Sequence, residues 1–254
     1  MNTITIPDSL AGRARALMWS GATIDTLKRG NTEEQLDFLS QAMAAELSNR
    51  EQARKTRLTR RAGFPAPKTL DGYDWAGVKL PPTIDQATLM NAGFVANQEN
   101  LVCYGPVGTG KTHLAIGVGH SAISQGMAVK FTTVSQLVNR LAEAKTAGTL
   151  DKTTKDLARF DLLILDEYGY VPIDRDAARL LFQIISDAYE TRSLIITTNV
   201  PFSNWGAVLT DDQLAAAMID RIAHHGHLIV FDSDSWRMRH ALMKQQPQAE
   251  RPLK

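Results

Sequence analysis

The chain has 254 residues, a formal net charge of +1, a hydrophobic fraction of 44% and a charged fraction of 22%. Those values exclude a disordered chain, and no run approaches the roughly 18 apolar residues of a membrane-spanning helix. The single cysteine, Cys103, excludes an internal disulfide, and the length suits one sizeable core with a small appendage.

The positive charge is unevenly placed, with 10 Lys and Arg against 7 Asp and Glu in residues 1 to 67, and 18 against 20 in the remainder. The opening "MNTITIPDSL" lacks the basic-then-apolar order of a secretion signal, which predicts a cytoplasmic protein. Ser9 is positioned to cap a short helix, "LAGRARALMWSG", with Gly21 or Gly30 ending such elements. A longer helix is predicted from Asn31-Thr32, where Thr32-x-x-Gln35 has capping-box spacing, and no proline interrupts the chain before Pro65. Leu36, Leu39, Met43 and Leu47 follow steps of three and four along one face. The same row continues as Arg50, Arg54, Arg57 and Arg61, so one stripe is apolar in its first half and cationic in its second. Such a run is either a solvated surface or a phosphate-gripping face, and four arginines in register favour the second.

The turn-rich stretch "GFPAPKTLDGYDW" places a domain boundary near residues 63 to 68. Residues 1 to 65 are accordingly expected to form a small, basic, all-α domain able to grip phosphates, 66 to 245 the main domain, and 246 to 254 a frayed polar tail. Thr83-x-x-Gln86 after Pro81-Pro82 predicts another helix reaching about Ala96. From Asn100 onward candidate strands (101–104, 128–134, 161–166, 193–198 and 227–231) alternate with helix-like segments (111–125, 135–147, 174–191 and 213–224). Apolar runs such as "LLILD" and "SLIIT" suit strands covered on both faces, which predicts an α/β fold with a parallel sheet between helices.

"GPVGTGKT", spanning Gly105, Pro106, Val107, Gly108, Thr109, Gly110, Lys111 and Thr112, matches G-x-x-x-x-G-K-[ST] between a predicted strand and a predicted helix. Glycines let backbone N–H groups approach phosphate oxygens, and the helix start adds positive potential. Lys111 supplies a counter-charge for the β and γ phosphates, and Thr112 an oxygen for Mg2+. His113 borders this loop as an early helix residue. In "LLILDEYG", Asp166 is expected to hold the metal and Glu167 to orient or deprotonate water. "LIITTN" brings Thr198 or Asn199 to the same carboxyl edge of the sheet, where Asn199 can bond the γ-phosphate and the water. Tyr73 and Trp75 either border the adenine or pack on the sheet, and Gly117 and Gly119 predict close packing of the helix against a strand. His224, His225 and His227 are expected to mark a helix end leading into the last strand.

The order "GPVGTGKT", "LLILDE", "IITTN" and "AMIDRIAHHG" resembles the AAA+ ATPases, in the branch of IstB-type transposition helpers and DnaC-type helicase loaders. The likeness extends over "RRAGFPAPKTLDGYDW" and "DSDSWRMRH". It implies an AAA+ P-loop core that binds ATP with Mg2+. Lys111, Asp166, Glu167 and Asn199 then serve as catalytic residues, and Arg221 as a finger reaching ATP on the neighbouring subunit. Arg237 is a second, weaker candidate for nucleotide sensing. In initiator and loader relatives an insertion facing nucleic acid occupies the place of residues 135 to 155, which adds Arg140, Lys145, Lys152 and Lys155 to Arg50, Arg54, Arg57 and Arg61 as DNA-binding candidates, the alternative for the added four being a solvated amphipathic helix. The implied activity is ATP hydrolysis by a ring or helical oligomer assembled on duplex DNA, with a transposase as partner and no membrane. The alternatives are a replicative helicase loader and, more distantly, a P-loop small-molecule kinase.

Overall fold

The computed structural model describes residues 9–27 and 31–233; Gly30, Arg237 and the expected tail lie outside them. Helix α1 (Leu10–Ala16) starts at Ser9, whose hydroxyl accepts from the Gly12 amide. Gly21 does not end this element but opens α2 (Gly21–Leu27), because Ser20 supplies a cap by accepting from Thr23 N. Helix α3 (Glu33–Ala62) begins in the predicted capping box, with Thr32 and Gln35 satisfying each other's backbone amides, and stops at Gly63 in the left-handed region.

Two hydrophobic clusters share α3. Near its start, Leu39 and Met43 pack with Ala14, Ile24 and Trp19 in a small cluster built by the first three helices. Near its end, Leu58 and Ala62 join the main core. The helix therefore runs continuously from one packing unit into the other.

After α3 the chain forms the short strand β1 (Val78–Lys79), α4 (Gln86–Met90) and a 3-10 turn over Gly93–Asn97. The single helix predicted from Thr83 to about Ala96 is thus replaced by two short pieces. Asp85, not Thr83, caps α4 by accepting from Thr88 N, while the Thr83 hydroxyl is hydrogen-bonded to His227 Nδ1.

The remainder alternates: β2 (Asn100–Tyr104), α5 (Lys111–Ser124), β3 (Val129–Thr133), α6 (Val134–Thr146), α7 (Leu150–Leu157), β4 (Leu162–Tyr168), α8 (Arg175–Ala188), β5 (Ser193–Thr198), α9 (Trp205–Leu209), α10 (Asp212–His224) and β6 (Gly226–Phe231). The sheet order is β1-β6-β2-β5-β4-β3. All pairs are parallel except β1 with β6, so the parallel sheet carries one short antiparallel edge.

Alternate residues of β4 enter opposite layers. Leu163 and Leu165 meet Leu137, Leu141, Leu181 and Met218 of α6, α8 and α10, whereas Leu162 and Ile164 meet Leu114 and Val118 of α5. This double burial explains the unbroken apolar runs of the central strands. Gly117 and Gly119 serve packing: a Cβ at the first would lie 2.5 Å from Leu70, and at the second 2.8 Å from the Phe64 ring and 3.0 Å from Ile164 of β4. Of these three neighbours only Ile164 is a strand residue, so Gly119 alone meets the predicted strand contact. Among the described residues no helix is long and apolar enough to cross a membrane.

Candidate nucleotide-binding site

The carboxyl ends of three adjacent strands assemble the site. Tyr104, the last residue of β2, pairs with Thr198 at the end of β5, and Gly105 N donates to Thr198 O at 3.2 Å. The loop after β2 then turns into α5. Gly105 has φ 153, and a Cβ there would lie 2.3 Å from Phe231 O; Gly110 has φ 100, with Tyr73 Oη 3.0 Å from its hypothetical Cβ. Larger residues would push the loop off β6 or displace Tyr73.

Lys111 is buried, and its Nζ donates to the carbonyl oxygens of Gly105 at 2.7 Å and Pro106 at 2.6 Å. Thr109 Oγ also donates to Pro106 O, which tightens the loop. Thr112 Oγ donates to Asp166 Oδ1 at 2.9 Å, so the two oxygens expected to share a metal are neighbours. Both are hard oxygen donors, the chemistry that Mg2+ prefers, so the residues fit that ion.

The adjacent acids Asp166 and Glu167 are divided by a bulge. Leu165 pairs with Ile196 and Tyr168 with Thr198, leaving one extra residue on β4 between these pairs. Glu167 takes up the irregularity with φ 62, in the left-handed region that disfavours side chains. As a result Asp166 is buried at 4% exposure while Glu167 faces solvent. Thr197 joins the two: its hydroxyl donates to Asp166 Oδ1 and accepts from Glu167 N at 3.0 Å. The sequence pattern points to Thr198 and to Asn199 just beyond this strand, and not to Thr197. Its signal was a hydroxyl at the end of a strand beside an acid-tipped one.

Thr198 is structural, donating to Tyr168 O at 2.8 Å and accepting from Val200 N at 3.0 Å. Asn199 follows β5 and is exposed. Tyr73 lies on the phosphate loop, donating to Gly110 O at 3.4 Å, with ring centroids 5.0 Å from Trp75 and 5.1 Å from His113. His113 itself is hydrogen-bonded through Nε2 to Thr69 O at 2.8 Å, which ties α5 to the preceding segment. Buried beneath the loop, Cys103 has its thiol pKa pushed up to about 12, chiefly by burial.

Other predicted residues lie elsewhere. Arg221 on α10 is half-buried; its Nη1 donates to Ala217 O at 2.9 Å and its guanidinium lies 4.8 Å from the Phe182 ring centre. Arg50 pairs with Glu46 at 2.7 Å, and Arg57 is exposed. Arg54 donates to Gly126 O at 2.7 Å, and Arg61 stacks 4.7 Å from the Phe160 ring centre. Lys145 pairs with Asp176 at 3.3 Å, while Lys152 is exposed on α7. His224 ends α10 and His227 begins the buried part of β6, between Thr83 and Glu99.

The chain is 34% identical over 217 residues to the ATP-binding protein of insertion sequence IS5376 from Geobacillus stearothermophilus, covering 84% of this chain and 85% of that protein. It is 35% identical over 206 residues to the ATP-binding protein of insertion sequence IS21 from Pseudomonas aeruginosa, covering 80% of this chain and 77% of that one. Among solved structures, the DnaC helicase loader superposes with a TM-score of 0.52 at 24% identity, over 65% of this chain and 96% of that chain. DnaA from Aquifex aeolicus bound to AMPPCP gives a TM-score of 0.52 at 21% identity, over 68% of this chain and 52% of that chain, so the likeness spans about half of that chain. These likenesses show a shared AAA+ P-loop fold. The family model described as IstB-like ATP binding protein matches residues 14–244, and the chain belongs to that family.

Proposed function

We propose that this protein is a Mg2+-dependent ATPase that assembles on duplex DNA in its ATP state and assists a transposase in target selection and integration. The observation that carries the reading is the contact of Thr112 with Asp166 beside the phosphate loop, with Glu167 turned to solvent next to it. The insertion-sequence context of the relatives supports the transposition role.

In this reading the amides of the Gly105–Thr112 loop and the start of α5 receive the phosphates, and Lys111 leaves its loop carbonyls to neutralise them. Thr112 and Asp166 would hold Mg2+, which when bound supplies positive charge against the phosphate oxygens. Glu167 accepts the proton of the attacking water, and Asn199 holds that water against the γ-phosphate. Thr197 fixes the carboxylate of Asp166 and the backbone of Glu167. Arg221 exchanges its stacking on Phe182 for the nucleotide of the adjacent subunit, so turnover depends on assembly. Exposed Arg50, Arg57 and Lys152 contact DNA phosphates without reading bases.

Imaging purified protein with duplex DNA, with and without a non-hydrolysable ATP analogue, tests this. Ordered assemblies on DNA are expected only with the analogue. Equal coating of DNA by single molecules without nucleotide would overturn the reading, and capture of a replicative helicase with preference for single strands would replace it with a loader.

A further inference from the structure

A second concentration of positive charge lies away from the nucleotide site. Arg61 near the end of α3, Lys130 on β3 and Arg140 on α6 line a cavity of about 290 Å3 with Asp156, Leu157 and Phe160. The Phe160 side chain is buried and supports the Arg61 guanidinium, 4.7 Å from its ring centre. The Lys130 ammonium reaches the end of α3, where a Cβ on Gly63 would lie 3.0 Å from Nζ. Three cations from three elements thus face one carboxylate, and that carboxylate, Asp156, is paired with Arg159 at 3.5 Å. Among the described residues neither Lys130 nor Arg140 has a carboxylate within ion-pair distance.

The crowding has an electrostatic signature. Burial holds the Lys130 ammonium below its ordinary pKa, and the like charges of Arg140 and Arg61 lower it further. Like charges gathered around a single carboxylate that is already paired elsewhere are relieved when an anion enters. A phosphate suits this arrangement better than a carboxylate. Its oxygens diverge tetrahedrally towards donors on three sides, and guanidinium groups grip them in pairs.

The position separates this cavity from the ATP phosphates. Phe160 precedes the amino end of β4 and Lys130 lies near the amino end of β3, whereas the phosphate loop and Asp166 occupy carboxyl ends. Exposed Arg57 and Arg60 on α3 give a polyanion further contacts beyond the cavity.

We infer that the Arg61, Lys130 and Arg140 cavity binds one backbone phosphate of a nucleic acid and thereby pins the end of α3 to β3 and α6. The inference rests on the DNA-binding reading above, for which it supplies a defined contact.

The test compares Arg61→Gln, Lys130→Gln, Arg140→Gln and the triple variant with unaltered protein, measuring duplex affinity with the ATP analogue across a salt series. The logarithmic salt slope counts phosphates neutralised, so three cations sharing one phosphate should lose about one unit of slope together. No single variant should lose more than the triple. A triple variant losing about three units would show independent surface charges, and an unchanged slope would show no contact; either overturns the site while leaving DNA binding intact. Absence of duplex affinity in unaltered protein would instead overturn the DNA reading, and the backbone assignment with it. Inorganic phosphate, added at constant ionic strength in a thermal-shift titration, distinguishes the source. Saturable stabilisation lost in Arg140→Gln, with duplex affinity unmoved, would assign the cavity to a free phosphorylated ligand and overturn the backbone assignment. Arg140 is exposed and has no hydrogen bond or ion pair among the described residues, so its variant remains informative if Lys130→Gln does not fold.

Discussion

At Glu167 a single backbone angle separates two adjacent acids that sequence alone treats as a pair. A left-handed φ on a residue with a side chain costs about 1–2 kcal/mol, and the surrounding bonds must hold it. Thr197 provides two of them. Thr197→Val keeps the shape but leaves a buried carboxylate oxygen and an amide short of a partner, a loss of about 1–3 kcal/mol. We expect lower unfolding stability, a fall in kcat larger than the change in KM for ATP, and recovery of both by Thr197→Ser. Steady-state turnover and urea unfolding measure this, and an unaltered kcat would remove Thr197 from the positioning role. The glycines, Lys111, Thr112, Asp166 and Glu167 were legible because local spacing defines the phosphate loop and the acid-tipped strand. Thr197 was not, because its partners lie on a neighbouring strand at a bulge that no local pattern announces.

Helix α3 shows both the reach and the limit of periodicity. Its capping box, its length and the packing of Leu39, Met43 and Leu47 follow from the sequence. The arginine row appeared to be one uniform surface, yet its members have different tasks. Arg54 anchors the helix through Gly126 O, Arg61 stacks on Phe160, and Arg50 and Arg57 stay exposed. Steps of three and four establish a shared face but not what that face meets. Arg54→Ala should therefore cost about 1–2 kcal/mol in denaturant unfolding, through the loss of a charged hydrogen bond. Arg57→Ala, on the open surface, should stay within about 0.5 kcal/mol. Equal effects would mean that the Gly126 contact contributes nothing to holding the helix. The segment after Pro82 failed as one helix for a related reason: the Thr83 hydroxyl has a distant partner in His227, and Asp85 is the better local cap.

At the scale of the molecule, the parallel sheet was readable because strands buried on both faces carry uninterrupted apolar runs. The two-residue β1 is too short to leave such a trace, and its antiparallel sense depends on pairing with β6. Assembly provides the corresponding prediction. If Arg221 acts on a neighbour's nucleotide, Arg221→Ala and Lys111→Ala should each lack turnover alone. Their mixture should regain a measurable fraction, since a subunit with an intact loop can meet a neighbour with an intact finger. A phosphate-release assay on the mixture decides this, and a mixture as inactive as its components would assign Arg221 to its own subunit.

The path of α3 also bears on how the protein can be divided. Its far half lies along β3, the outermost strand on that side, and adds Leu58 and Ala62 to the layer beneath α5. A cut placed at the turn near residue 65 would strip Leu58 and Ala62 from this layer and bare the apolar side chains of α5 and β3 that they cover. Such a fragment should clump, whereas one that begins at Ser9 keeps both ends of α3 covered.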